Sequence, residues 1–91
     1  MKVTWEENKR DWTLIQRSLD FSKFPELFEQ PYVLVQDTRK EYGEDRFVVT
    51  GYLNGDLIVA AFTVRKGSHR IFSMRKANKR ERSKIKKILH R

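Results

Sequence analysis

The chain has 91 residues, with 20 Lys or Arg against 12 Asp or Glu and a formal net charge of +8 at pH 7. It contains no cysteine, which excludes disulfides and thiolate metal sites. Its longest apolar run, residues 57–62, is too short to span a bilayer, and 38% hydrophobic with 12% aromatic residues favours one small folded domain over residues 1–91 rather than disorder.

Residues 2–5 read as a short strand, and residues 1–7 hold no apolar run of the kind a signal peptide needs. A helix is predicted over about 6–17, with Thr4 or Trp5 near its start, acids in its first turn and a weak apolar stripe at Trp12, Ile15 and Leu19. Ser22 is placed as the N-cap of a second, short helix through Leu27 and Phe28, with Pro25 in its first turn and Pro31 closing it. The period then changes. Residues 32–35 form a β-branched run ending in a polar loop, 37–45, and residues 46–52 form the next strand. Asn54-Gly55 is a strong hairpin signal because type I′ turns need positive φ. Residues 57–64 lack alternation and read as a central strand buried on both faces. Lys66-Gly67 marks another tight turn before a strand over 69–74. A final helix over about 78–90 carries Ile85, Ile88 and Leu89 at helical spacing among basic residues. The order implies an α+β domain. It has a mostly antiparallel sheet of four to five strands, two N-terminal helices, one C-terminal helix, and the helices on one face.

The charge is unevenly placed. Residues 65–91 hold twelve Lys or Arg and one acid, Glu81, whereas residues 1–64 hold eight bases and eleven acids. A field concentrated at one end suits a polyanion, most commonly RNA or DNA. If both tight turns are two-residue loops, Arg46 faces Thr63 and Thr63 faces Arg70. Arg46, Thr63, Arg65 and Arg70 then share one sheet face, while Arg75 falls on the other. Guanidiniums so close repel one another unless an anion sits among them, and their fork matches a phosphate. Glu44 is the nearest carboxylate. The plainer reading of the same arginines is a solvated face paired with Glu44 or Asp45.

These residues also fall into a pattern. The start Trp5-Glu6-Glu7-x-Lys9, the middle Asp37…Gly43-Glu44-x-Arg46…Gly51, the pair Thr63-x-Arg65, and the run Arg70-Ile71-x-Ser73-x-Arg75-x-Ala77…Glu81-Arg82 together resemble the BrnT family. BrnT is the toxin half of BrnT/BrnA toxin–antitoxin modules. The resemblance implies a RelE-like fold and a cytoplasmic endoribonuclease acting on RNA without a cofactor. It also implies neutralisation by a BrnA-like antitoxin with a ribbon-helix-helix domain. That complex represses its own operon, so DNA is met only through the antitoxin, and no membrane is involved. A toxin homodimer within the complex is left open. Carried over by position, the catalytic candidates are Lys9, Glu44, Arg46, Arg65, Arg70 and Arg75. Where many members read N-x-x-K-H-G, this chain reads Thr13-Leu14-Ile15-Gln16-Arg17-Ser18, with Arg17 in place of the histidine.

Metal-independent RNA cleavage needs a base for the 2′-OH, stabilisation of the phosphorane and a proton for the leaving oxygen. Arginines supply the second. Glu44 is a candidate base, and so is Lys9 if desolvated by neighbouring cations. His69 and His90 read as an exposed hairpin residue and a terminal one, and Tyr42 and Tyr52 have no evident partner. Two distant histidines and no cysteine make no metal constellation, and the four glycines form no phosphate loop. Trp5 and Trp12 read as core anchors, and Phe47, Phe62 and Phe72 as sheet packing. Arg17, Lys66, Lys76, Lys79, Arg80 and Arg82 are candidate RNA-backbone contacts, and the basic helix also suits an acidic segment of an antitoxin. The alternative function is a non-catalytic basic module that binds nucleic acid, or an inactive toxin relative serving in a repressor complex.

Overall fold

In the computed structural model, which describes residues 1–90, the chain runs through β1 (Val3–Trp5), α1 (Glu7–Arg17), a 3₁₀ helix (Phe21–Phe28), β2 (Val33–Asp37), β3 (Arg46–Leu53), β4 (Asp56–Arg65), β5 (Ser68–Lys76) and α2 (Lys79–Leu89). The fold is α+β, a five-strand mixed sheet with three helices. Strand order is β1-β5-β4-β3-β2. Three of the four pairings are antiparallel, and β1 pairs parallel to β5 with Val3 beside His69. Among the described residues no helix is long and apolar enough to cross a membrane, which says nothing of a β-barrel.

Two tight turns set the register. Asn54 and Gly55 have φ of 52° and 83°, and Lys66 and Gly67 have 50° and 79°. Paired positive φ gives the turn twist that matches the strands it joins. The pairs Leu53–Asp56, Arg65–Ser68 and Thr63–Arg70 follow as the turn lengths require. Farther along β5 the register slips. Phe62 pairs with Ile71 but Ala61 pairs with Ser73, so Phe72 is an extra, unpaired residue. This β-bulge reverses the alternation beyond it.

The core forms on both faces of β4, as its unbroken apolar run requires. On one face Phe21, Phe24 and Leu27 of the 3₁₀ helix pack on Val49, Ile58, Ala60, Phe62, Ile71 and Met74. Phe24 meets Phe62 edge-on at 5.1 Å between centroids, a favoured aromatic geometry. On the other face Ile85 and Ala77 pack on Leu57 and Val59, with Val33, Val48, Tyr52 and Leu89 around them. The helices therefore do not share one face as expected, because the apolar residues of β4 demand cover on both.

The start of the 3₁₀ helix also differs from expectation, whereas α1 lies where it is expected. The N-cap of the 3₁₀ helix is Asp20, not Ser22. Its Oδ1 accepts from the Ser22 amide at 2.9 Å, and its carboxylate also receives a fork from Arg10 at 2.9 and 3.1 Å. α1 is preceded by Glu6 and ends at Ser18, which has φ of 57°. The expected apolar stripe of α1 is not a core stripe, since Leu19 is buried but Trp12 is 52% and Ile15 77% exposed. α1 packs instead through the buried Thr13 beside β5, where the Arg17 guanidinium donates to the Met74 carbonyl at 2.8 Å.

Gly51 is where the 3₁₀ helix comes closest to the sheet. A Cβ there would stand 2.5 Å from the Leu27 carbonyl oxygen, a backbone atom that cannot swing away. Gly51→Ala is expected to cost about 1–3 kcal/mol, as overpacking typically does. Denaturant unfolding of the two proteins measures it.

Candidate functional site

The site grows from β4 outward. Thr63 is buried, and its hydroxyl donates to the Asp45 carbonyl, which draws the end of the 38–45 loop onto the sheet. The loop is wound around Asp37. That carboxylate accepts from the Arg39 amide at 3.2 Å, from the Arg39 guanidinium at 2.9 and 2.8 Å, and from the Tyr42 hydroxyl at 3.1 Å. The Arg39 fork holds Asp37 well below the usual carboxylate range. Gly43, at φ of 75°, lets the chain reverse. Tyr42 and Glu44 are thereby fixed on either side of it.

Arg46 lies at the base of this loop, in line with Thr63, Arg70 and Thr4 across four strands. Its guanidinium carbon stands 4.3 Å from the ring centroid of Tyr42 and 4.3 Å from that of Phe72. Both are cation–π contacts, which strengthen as the cation loses water. Its Nε is buried and has no hydrogen-bond partner among the described residues. Arg65 also approaches Phe72, at 6.0 Å, and is clamped by Glu44 through two bonds of 3.0 and 2.9 Å. That fork lowers the Glu44 pKa and raises that of Arg65. From α1, Lys9 reaches the same ring at 5.8 Å. Four cations, Lys9, Arg46, Arg65 and Arg70, thus converge with one carboxylate on one end of the sheet. The ion pairs of the described residues leave Arg46 and Arg70 unpaired. Among those residues no group of three or more His, Asp or Glu could hold a metal ion.

Arg75 requires a correction. Simple alternation places it on the opposite face, but the bulge at Phe72 returns it to the face of Arg46, where it pairs with Val59. It stands four residues along β4 from Thr63, about 13 Å away at the usual rise per residue. There Glu81 takes its guanidinium at 2.7 and 2.9 Å. The same Glu81 accepts from the Asn78 amide while Asn78 accepts from the Glu81 amide, a capping box that starts α2. Arg75 therefore fastens α2 to β5.

The remaining basic candidates spread over several surfaces. Arg17 lies over the Trp12 ring at 4.8 Å. Lys66 is exposed in its turn, and Lys76 is 3.6 Å from Asp56. Lys79 and Arg80 are exposed on the first turn of α2, and Arg82 donates to the Ala77 carbonyl at 2.9 Å.

Two site residues were missed by sequence reasoning. Phe72 does not pack the core, because as the bulge residue it lies beneath the cations, and Tyr42 has partners in both Asp37 and Arg46. Other expectations also change. Trp12 is not a core anchor, His69 is half buried against Phe24 and Phe62 with Nδ1 unpartnered, and Tyr52 and His90 share a 2.9 Å hydrogen bond. The spacing of Ile71 and Met74, both apolar but three apart in a strand, was the available sign of a bulge.

A family model described as ribonuclease toxin, BrnT, of type II toxin-antitoxin system matches residues 5–81. The chain belongs to the BrnT toxin family. As a BrnT-family protein it falls among ribonuclease toxins whose systems include an antitoxin partner. The matched span contains all four converging cations, Glu44 and the Arg75–Glu81 pair, and it ends within the first turn of α2. No curated relative matches the chain.

The Arg75 fork, with help from the Asn78 amide, lowers the Glu81 pKa from 4.5 to about 2. A carboxylate depressed on folding stabilises fully above its unfolded value and loses that contribution as pH falls through its folded value. The Glu81 contribution is therefore expected to be intact above about 4.5 and to fade toward pH 2. Urea midpoints across this range should fall more steeply for the wild type than for Glu81→Gln.

Proposed function

We propose that this single toxin domain is a metal-independent endoribonuclease whose phosphate site is the cluster of Arg46, Arg65, Arg70 and Lys9. The observation that carries the reading is Arg46 itself. It is a guanidinium held over two aromatic rings with no carboxylate partner and a buried Nε lacking an acceptor. Buried donors without acceptors are uncommon and costly, and a phosphate oxygen supplies the missing one. In the proposed reaction the 2′-oxygen attacks phosphorus and the 5′-oxygen leaves, giving a 2′,3′-cyclic phosphate and a 5′-hydroxyl. The arginines stabilise the charge that builds on the phosphorane. The phosphate draws the Arg65 fork away from Glu44, freeing that carboxylate to take the 2′-OH proton, and Lys9 delivers a proton to the 5′-oxygen. Arg17 serves as a wall of the site rather than as a proton carrier. The order of β1, two helices and an antiparallel run of strands supports a RelE-like arrangement.

The partner in this reading is a BrnA-like antitoxin, and DNA is reached only through its ribbon-helix-helix domain. Its docking surface is the groove of about 840 Å³ between β2 and α2, lined by Val33, Val35, Val48, Val59, Ile85 and Ile88. Val35 is 52% and Ile88 47% exposed. β2 is an edge strand with neither lysine nor proline to guard its free backbone groups. α2 carries six Lys or Arg and one acid, and Lys84 lines the groove together with Arg39 and Arg75, so the occupant is an amphipathic segment of the antitoxin that carries acidic residues.

Two sets of measurements follow. With a long single-stranded RNA, the wild type should cleave, and Arg46→Ala should lower kcat/KM by about 10²–10³ as for loss of one transition-state donor. Glu44→Gln should lower kcat by about 10²–10⁴ and remove the acid limb of the pH profile. Because Arg65 depresses Glu44 in the free enzyme, the acid limb of kcat/KM should lie below the usual carboxylate range. RNA bound but left intact by the wild type would instead mark a binding module. For the partner, Ile88→Glu or Val35→Lys should weaken antitoxin binding by about tenfold or more while cleavage stays unchanged. Growth arrest on expression should be relieved by the antitoxin for the wild type and less for these variants.

A further inference from the structure

Between α1 and β5 lies a cleft of about 290 Å³ that adjoins the phosphate cluster through Lys9 and Phe72. Asn8, Trp12, Thr13, Arg17, Phe72 and Ser73 contribute to its walls. Its size is near the lower end of small-ligand sites, which run from about 300 Å³ upward. Trp12 is the unusual wall. It is 52% exposed and belongs to neither core cluster. The Arg17 guanidinium lies over it at 4.8 Å and is itself anchored to the Met74 carbonyl. The guanidinium and the ring are thus stacked as a pair at the rim of a small opening.

The opposite wall is Phe72, and this gives the cleft its meaning. The same ring lies under Arg46 at 4.3 Å, under Arg65 at 6.0 Å and under Lys9 at 5.8 Å. The cleft and the cationic cluster therefore adjoin across one side chain, and Lys9 touches both. A polymer with a phosphate on the arginines must carry its neighbouring ring system within reach of this opening. Single-stranded RNA is held by stacking of bases on aromatic rings and arginine planes, with polar side chains reading the base edges. Here the stacked pair of Trp12 and Arg17 offers the plane, and the Asn8 amide and Ser73 hydroxyl offer donors and acceptors.

We propose that the α1–β5 cleft binds an unpaired nucleobase next to the phosphate held by Arg46, Arg65 and Arg70, with Trp12 as its stacking surface. This rests on the ribonuclease reading above. It assigns to Trp12 a role in substrate affinity and to Asn8 and Ser73 a role in base preference.

The test uses a short single-stranded RNA with 2′-O-methyl groups throughout, which can bind but not react. Trp12→Ala should weaken its binding by about 5- to 150-fold, the usual range for one stacked base. Trp12→Phe should stay near the wild type, and the slope of affinity against salt should be unchanged in both. Arg46→Ala should instead reduce that slope by about one phosphate contact. Asn8→Ala should alter the order of affinities for the four homopolymers. Equal binding by the wild type and Trp12→Ala, with Arg46→Ala impaired, would overturn the cleft and leave the ribonuclease reading standing. No binding by the wild type would overturn both. Trp12→Ala that loses antitoxin affinity but keeps RNA affinity would show the cleft to be a protein contact and overturn the proposal. Trp12 lies outside the core, so its variants should fold, and unchanged unfolding curves confirm that.

Discussion

Between Ile71 and Ser73 the pairing of β5 with β4 slips by one residue, and much of the molecule is arranged around that slip. Ahead of it, Ile71 faces the 3₁₀ helix; beyond it, Met74 faces the same helix, and both are fully buried. Without the extra residue only one of them could reach the core, since alternation would turn the other outward. The residue that takes up the slip is Phe72. Its ring is delivered to the other face, where it becomes the common floor of Lys9, Arg46 and Arg65. The same slip directs Arg75 toward Glu81 and so ties α2 to the sheet. Bulges are frequent beside functional sites because they aim a side chain that regular pairing cannot.

A cluster of like charges on a small domain needs local compensation, and the chain supplies it unequally. Arg10, Arg65 and Arg75 each receive a carboxylate fork, from Asp20, Glu44 and Glu81 respectively. Two of these acids also perform a second task, Asp20 as N-cap of the 3₁₀ helix and Glu81 in the capping box of α2. Arg46 is treated differently. It receives ring faces in place of a carboxylate, which softens its desolvation without neutralising it. A cation held in that way keeps its charge for an incoming anion. Arg65, matched by Glu44, must exchange one partner for another before it can act on a phosphate.

Much of this was readable from residues alone because the governing interactions are short-ranged. Asn54-Gly55 and Lys66-Gly67 dictate their own backbone angles, and two such turns place Arg46, Thr63, Arg65 and Arg70 on one face with no further information. The apolar run of β4 likewise announces a central strand. What failed depended on partners distant in sequence. Simple alternation put Arg75 on the wrong face because the bulge arises from how Ile71 and Met74 meet the 3₁₀ helix. The order of elements alone puts the helices on one face, whereas β4, apolar on both faces, needs cover on each. Trp12 was assigned to the core by composition, whereas the side of α1 that meets β5 is marked by Thr13 and not by its largest apolar residues. The cradle of Tyr42 and Phe72 joins two segments 30 residues apart, and nothing local signals it.

The parallel pair of β1 and β5 orders events in time as well as in space. β1 is made before the other strands of its sheet, yet its partner begins at Ser68 and the two cannot meet until the intervening strands exist. Until then Ile71 and Met74 are missing from the core, and Phe72 is missing from beneath Lys9 and Arg46. Long-range pairing of this kind slows folding, because the loop between the partners must close before the contact repays it. The cationic site is therefore among the last features to take shape. Until β5 has been made, a growing chain carries no assembled version of it for an inhibitor to restrain.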